Sequence, residues 1–323
     1  MTFFASIRRA TAALICTALP AMADLPVLTI ASQAGGTVNW ELQTIKAHGF
    51  DEAQGFRLQI QEVAGKAAGQ IAFQGGEVDV IVDDWIWVAR QRAAGHDIAF
   101  IPYSRAVGGV MVPADSPAQS LQDLAGQQIG IAGGPQDKSW LILRAYASQQ
   151  GFDLAGSTEQ VYGAPPLIFQ TARAGDLGGA INFWHFMAKQ EAAGMRHLIS
   201  VADAAEALGM DPDMPLLGYV VQSALVAAQP ELITAFAAAS RAAKVQLTNS
   251  DADWDRLRPI MNAADDAEFA ALKSGFRAGI PSEGPVNEDA ARAMFRLMVD
   301  LGGEALVGDA TDLPSGVFVP LGS

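Results

Sequence analysis

From Asp24 onward the chain alternates short β-prone runs with stretches of helical apolar spacing, and glycines mark many of the joints. This alternation is the strongest constraint on the fold, because strand, helix and strand in succession build most simply into a parallel sheet with helices on its faces. Val27 to Ala31 reads as a strand, Ser32 to Thr37 as a polar turn and Asn39 to His48 as a helix. Phe56 to Val63 alternates apolar Phe56, Leu58 and Ile60 with polar Arg57, Gln59 and Gln61, as a half-buried strand does. Gly65 to Phe73 is helical, Val78 to Val82 is a buried strand ending on Asp83-Asp84-Trp85, Ile86 to Ala94 is helical, and Ile98 to Tyr103 is a strand. The rhythm continues through extended Gly108 to Val112, a short helix at Ser120 to Leu124, a helix from Ser139 to Gln149 and a strand at Glu159 to Tyr162. Pro165 and Pro166 begin a turn, a helix then runs to about Arg173, and a strand from Leu177 to Ile181 ends on Asn182-Phe183-Trp184-His185. Gly218 to Val226 reads as one more strand. A long Ala-rich helix opens at Pro230, the remainder to Leu301 is mostly helical, and Leu313 to Val319 has no evident partner.

The stretch Ile129 to Trp140 concentrates this logic. A β-prone run breaks on Gly133 and Gly134 and enters a helical pattern, which brings backbone N–H groups and a helix N-terminus to one point. The glycines permit close backbone approach, and Asp137 or Ser139 can cap the first turn. Lys138 beside them suits a carboxylate, sulfonate or phosphate group; the alternative is a solvated lysine.

The 323 residues suffice for two lobes with separate cores. The only apolar stretch with an export layout lies at the start: Arg8 and Arg9, apolar Ala10 to Leu19, Pro20, and the small-x-small site Ala21-Met22-Ala23. Cleavage is expected after Ala23, leaving a periplasmic chain. Cys16, the single cysteine, lies within that segment, so disulfides, thiolate metal sites and cysteine nucleophiles are excluded from residue 24 onward. Losing two arginines takes Lys+Arg from 21 to 19 against 35 acids, and the formal charge from −14 to −16. An acidic chain of this kind argues against nucleic acid or an anionic membrane surface as partner. The four histidines, His48, His96, His185 and His197, lack a metal-binding spacing, and no nucleophile elbow, zinc-protease motif, phosphate loop or dinucleotide fingerprint is present. No catalytic residue, cofactor or metal is therefore assigned. There is also no repeat, low-complexity segment or long Pro/Ser linker, so lobes must be joined by strands.

Several segments in order carry a resemblance: Phe73-Gln74-Gly75-Gly76-Glu77-Val78-Asp79-Val80, Ser120-Leu121-Gln122-Asp123-Leu124-Ala125-Gly126, Ile129 to Gly134, Ala174-Gly175-Asp176-Leu177 and Gln229-Pro230-Glu231-Leu232. With the export segment, they resemble the periplasmic substrate-binding proteins of ABC transporters of the nitrate, sulfonate, taurine and thiamine-precursor (SsuA/THI5-like) type. The resemblance implies a two-lobe, type II periplasmic binding protein fold of the α/β class. Lobe one would comprise 24–107 and 221–323, and lobe two 108–220, with crossings near Arg105 to Gly109 and Leu217 to Val221. A ligand would lie between the lobes, where the carboxyl ends of strands converge.

Four strand ends carry the candidate ligand-binding residues: Gln33 with Asn39 and Trp40; Asp83, Asp84 and Trp85; Gly133, Gly134, Asp137, Lys138, Ser139 and Trp140; and Asn182, Phe183 and Trp184. Five of the six tryptophans fall at or just after these ends. Facing one another they would form an aromatic box for a flat ring or an ammonium group; otherwise each packs a helix onto the sheet, and Trp87 is the strongest core candidate. Asp83 and Asp84 suit an amine or a metal, with one of them a helix cap. Arg105, at a crossing, is either an anion partner or a hinge salt bridge.

The expected function is capture of a small organic nutrient, aromatic, amine-bearing or zwitterionic, and its delivery by a monomer to an inner-membrane ABC permease. Two alternatives remain open. One is a metal-binding accessory of a periplasmic oxidoreductase that uses Asp79, Asp83, Asp84 and Asp137. The other is a pyrimidine-synthase-like enzyme on the same fold.

Overall fold

The computed structural model describes residues 24–33 and 35–321. The expected export segment, with Cys16 and the cleavage point after Ala23, lies outside the described residues.

The first elements are β1 (Val27–Gln33), α1 (Val38–His48), α2 (Phe50–Ala53), β2 (Arg57–Val63), α3 (Lys66–Gln74), β3 (Val80–Asp84), α4 (Trp85–Ala93) and β4 (Ile98–Ser104). The chain then forms β5 (Gly109–Val112), a 3-10 turn at Leu121–Leu124, β6 (Gln128–Ala132), α5 (Lys138–Gln149), α6 (Leu154–Ser157), β7 (Glu159–Gly163), α7 (Pro165–Arg173) and β8 (Gly179–Asn182). α8 (Trp184–Ala192), β9 (Arg196–Ser200) and α9 (Val201–Ala207) fill a stretch whose residue pattern had suggested no element. Ser200 caps α9 by accepting the Asp203 amide at 2.8 Å. β10 (Leu217–Gln222) stops short of the strand expected to reach Val226, because the Ala-rich segment beyond it folds as α10 (Ser223–Ala228). α11 (Pro230–Asn249), α12 (Asp251–Met261), α13 (Asp266–Ala278) and α14 (Glu288–Val307) complete the chain.

Two five-stranded sheets result, ordered β2-β1-β3-β10-β4 and β7-β6-β8-β5-β9. In each, the first three strands are parallel and the fourth runs antiparallel to both neighbours. The fourth strand of each sheet is the one that enters from the other sheet: β5 after β4, and β10 after β9. The chain thus crosses between the sheets twice. The outgoing crossing lies between Ser104 of β4 and Gly109 of β5, and the returning chain pairs in the first sheet from Leu217.

Hydrophobic burial explains the register. Leu28 and Ile30 of β1 pair with Leu58 and Ile60 of β2, and the core around them takes in Trp40, Phe236 and Trp254. Within it, α1 and α11 are joined by the Glu41–Lys244 ion pair at 2.7 Å, while the Tyr219 and Ser240 hydroxyls both donate to Glu41. A second core runs without interruption from Trp85 and Phe100 of the first sheet to Trp140 and Ile142 of the second, through Phe295 and Met298 of α14. The C-terminal helices therefore serve both lobes: α14 packs on α4 and α5, and α13 packs on α8. The tail that had no evident partner adds to the edge of β4, where the Phe100 amide donates to the Val317 carbonyl at 2.7 Å and the Val319 amide to the Phe100 carbonyl at 2.9 Å.

Gly218 lets β10 fit between its neighbours. A Cβ there would sit 2.2 Å from the Phe100 ring and 2.4 Å from the Ile101 carbonyl oxygen. Gly218→Ala is expected to destabilise the fold by about 1–3 kcal/mol, the usual range for overpacking a core. Urea unfolding of the two proteins side by side measures it.

Candidate functional site

β3 ends on two carboxylates, and the chain turns directly into α4. Asp84 is the N-cap of that helix and accepts the Trp87 amide at 2.7 Å. Asp83 accepts the Asp84 amide at 2.8 Å and the Gln70 side chain at 2.7 Å. Both acids are buried, at 2 % and 4 % exposure, so their charges need partners close by. Lys66, the first residue of α3, supplies one: its Nζ lies 2.7 Å from Asp83 and 3.5 Å from Asp84. Lys138, the first residue of α5 on the second sheet, supplies the other, at 2.8 Å from Asp84.

Asp137 caps α5 by accepting the Trp140 amide at 3.0 Å. The turn before it depends on Gly133, whose φ of 106° favours glycine. The N-termini of three helices, two lysines and two buried acids thus meet where the strand ends of the two sheets come together. The site is close to neutral overall but carries fixed charges of both signs.

The electrostatics separate the two acids. Burial pushes the Asp83 carboxyl up and the neighbouring Asp84 charge adds to this, so its pKa reaches about 6 despite Lys66. Burial also pushes Asp84 up, but Lys138, Lys66 and the Trp87 amide outweigh it and hold the carboxyl below its ordinary value. Lys66 is disfavoured as a cation by burial, yet Asp84 and Asp83 raise its pKa above the usual lysine value. Burial likewise raises Asp137, against the amides of its own helix.

The other expected site residues are distributed differently. Gln33 is exposed at the end of β1, its carbonyl turned back on the Gly36 amide. Asn39 is buried and accepts from Gln43 at 3.3 Å. Gly134 and Ser139 are part-buried beside Lys138. Asn182 is buried, donating to the Pro165 carbonyl and accepting the Phe183 amide, while Phe183 itself is 41 % exposed. Arg105 pairs with Asp213 and donates to the Ala278 carbonyl at 3.2 Å.

The tryptophans do not face one another as a box. Trp40 lies edge-on to Trp184 at 6.1 Å and to Trp254 at 5.9 Å, inside the first core. Trp85 is fully buried against Phe295 and Phe318, and Trp140 is buried with Arg144 over its ring. Trp87, the strongest core candidate from sequence, is only part-buried, because the inward face of α4 carries residues 85, 86, 88 and 89. The four-acid metal set is not assembled either. Asp79 accepts the Thr29 amide at 2.7 Å within the sheet, and Asp83 and Asp84 face lysines. Among the described residues no group of three or more His, Cys, Asp or Glu side chains is arranged to hold a metal.

Lys66 and Gln70 were missed. Lys66 carries a readable signal, however: like Lys138 it places a cation at the first position of a helix, where the helix dipole disfavours positive charge unless an acid compensates. A depression of about 400 Å³ lined by Gln54, Pro230 and Thr234 lies elsewhere, at the junction of α2 and α11.

The raised Asp83 pKa has a defined sign in stability. The folded state holds this proton up to pH of about 6 and the unfolded chain only to about 3.8, so its contribution is complete below pH 3.8 and is lost as pH rises through 6. Asp83→Asn does not titrate, so wild type should lose stability relative to the variant as pH rises from 4 to 6. Thermal midpoints measured across that range provide the check.

The fold is shared with solved proteins. The aliphatic sulphonate binding protein SsuA of Escherichia coli is 18 % identical, with a TM-score of 0.73 over 92 % of this chain and 98 % of that one. The alkanesulfonate-binding protein SsuA of Xanthomonas axonopodis pv. citri, bound to MOPS, is 16 % identical, with a TM-score of 0.66 over 92 % and 99 %. The Candida albicans CA3427 gene product, described as having the generic periplasmic binding protein fold, is 12 % identical, with a TM-score of 0.57 over 87 % and 90 %. No curated protein sequence matches the chain. The profile of the NMT1/THI5-like family matches residues 42–250, and the chain belongs to that family.

Proposed function

We propose that the protein is the solute-binding component of an ABC importer, exported to the periplasm, where it holds a small organic solute between its two sheets and presents it to a membrane permease. One observation carries the reading: charged groups of both signs converge from the two sheets on the ends of β3 and β6. Lys66 and Lys138 suit a sulfonate or carboxylate, and Asp83 and Asp84 suit an amine. A zwitterion with a compact anionic head uses both. The E. coli and Xanthomonas neighbours, named as sulfonate-binding proteins, support an anionic head.

A hinge makes such a site useful. Solute bound between two lobes stabilises the closed arrangement by its differential affinity for it, and a permease can distinguish that arrangement from the open one. No helix among the described residues is long and apolar enough to cross a membrane.

Calorimetry against alkanesulfonates, amino-sulfonates, carboxylates, amines and pyrimidines tests the reading. One class should bind with one-to-one stoichiometry and without turnover. Lys66→Met should then weaken the best binder about tenfold or more, roughly 1.4 kcal/mol. Unchanged affinity would place the solute elsewhere, product formation would favour the enzyme, and a stoichiometric metal in the purified protein would favour the accessory. Trp140→Ala is unsuitable as a probe, since that ring is in the core.

A further inference from the structure

Asp84 and Lys66 belong to the first sheet and its helices, whereas Lys138 opens the helix that follows β6 in the second. The 2.8 Å contact between Lys138 Nζ and Asp84 Oδ2 therefore spans the two lobes, while the 3.5 Å contact from Lys66 to the same oxygen lies within one. We propose that Lys138 and Asp84 form an ionic latch that holds the lobes together in the absence of solute.

Three features support this. First, Lys138 stands at the N-terminus of α5, where its charge is disfavoured by the helix dipole, and among the described residues its only ion-pair partner is Asp84 of the opposite lobe. Second, the Asp84 side chain is 6 % exposed and that of Lys138 26 %, so solvent and salt screen the pair far less than a surface contact. Third, the neighbouring groups are already engaged. Asp83 is held by Lys66 and Gln70, and Asp137 by the Trp140 amide, so neither replaces Asp84 as the partner in this arrangement.

Lys66 makes the latch reversible. When the lobes part and Lys138 leaves with α5, Asp84 keeps the Lys66 ammonium and the Trp87 amide, so opening does not strand an unpaired buried carboxylate. Opening thus costs Asp84 one of its partners and leaves the others in place, which favours a reversible population shift. An entering solute would have to displace the latch, with an anionic group taking over Lys138 or a cationic group taking over Asp84. The latch would thus lower apparent affinity and reject solutes too weakly charged to compete.

Small-angle scattering of the purified chain, refolded from denaturant to strip carried-over solute, tests this without any ligand. Wild type should be compact, and Lys138→Met should shift to a larger radius of gyration with unchanged circular dichroism. Lys138→Arg, which keeps the charge, should remain compact. Lys66→Met, which removes a charge from the same acid but within one lobe, should remain compact as well. A Lys138→Met profile that superimposes on wild type overturns the latch, as does equal expansion in Lys66→Met or Lys138→Arg. Because no solute enters the measurement, the latch and the solute-binding reading fail separately.

Discussion

Asp84 is a buried carboxylate at the place where two sheets meet, and an ionised carboxylate is tolerated there only if every side of it is answered. The amide of Trp87 answers it from its own helix, Lys66 from the neighbouring helix of the same lobe and Lys138 from the other lobe. Removing one partner from such a buried group costs on the order of 3–5 kcal/mol, although an intact pair contributes little net stability over an apolar replacement. The arrangement is therefore weak as a reason for the fold to be stable, and its weight falls on how the two sheets meet. Asp83 shows the opposite response to the same burial: with Asp84 already ionised beside it, it holds its proton up to about pH 6.

The topology explains why these groups can meet. Both sheets run the same order, with three parallel strands followed by one antiparallel strand borrowed from the chain's crossing. Parallel strands place the following helices with their N-termini at one edge, so α3, α4 and α5 all begin at the strand ends of the cleft. Helix N-termini favour acids and anions, which accounts for the caps at Asp84 and Asp137. Two lysines at first helical positions run against that preference, and only the nearby carboxylates make them acceptable. The C-terminal helices complete the frame from outside, α14 against α4 and α5, and α13 against α8.

The alternation of elements was legible because glycine punctuation and apolar period are local properties. β1 to β8 and their longer helices follow it closely, the four-residue α2 and α6 excepted, and the cap positions at Asp84 and Asp137 follow from side chains that can accept an amide three residues on. The stretch from α8 to α9 was not legible, since β9 is only part-buried and α9 is one short Ala-rich segment. The tryptophans misled for a physical reason. An indole just after a strand packs equally well into a cleft wall or under a helix, and the chain places Trp40, Trp85 and Trp140 under helices. The Lys138–Asp84 pairing was out of reach of sequence, because it depends on how one lobe sits against the other.

The central claim is that the ends of β3 and β6 form one site contributed by both lobes. Hydrogen exchange of the backbone amides, with and without a saturating solute identified by calorimetry, tests it most directly. The account predicts that the first turns of α4 and α5, including the Trp87 and Trp140 amides, gain protection together. Protection confined to one lobe, or placed at the α2–α11 depression while these amides remain unchanged, would contradict it.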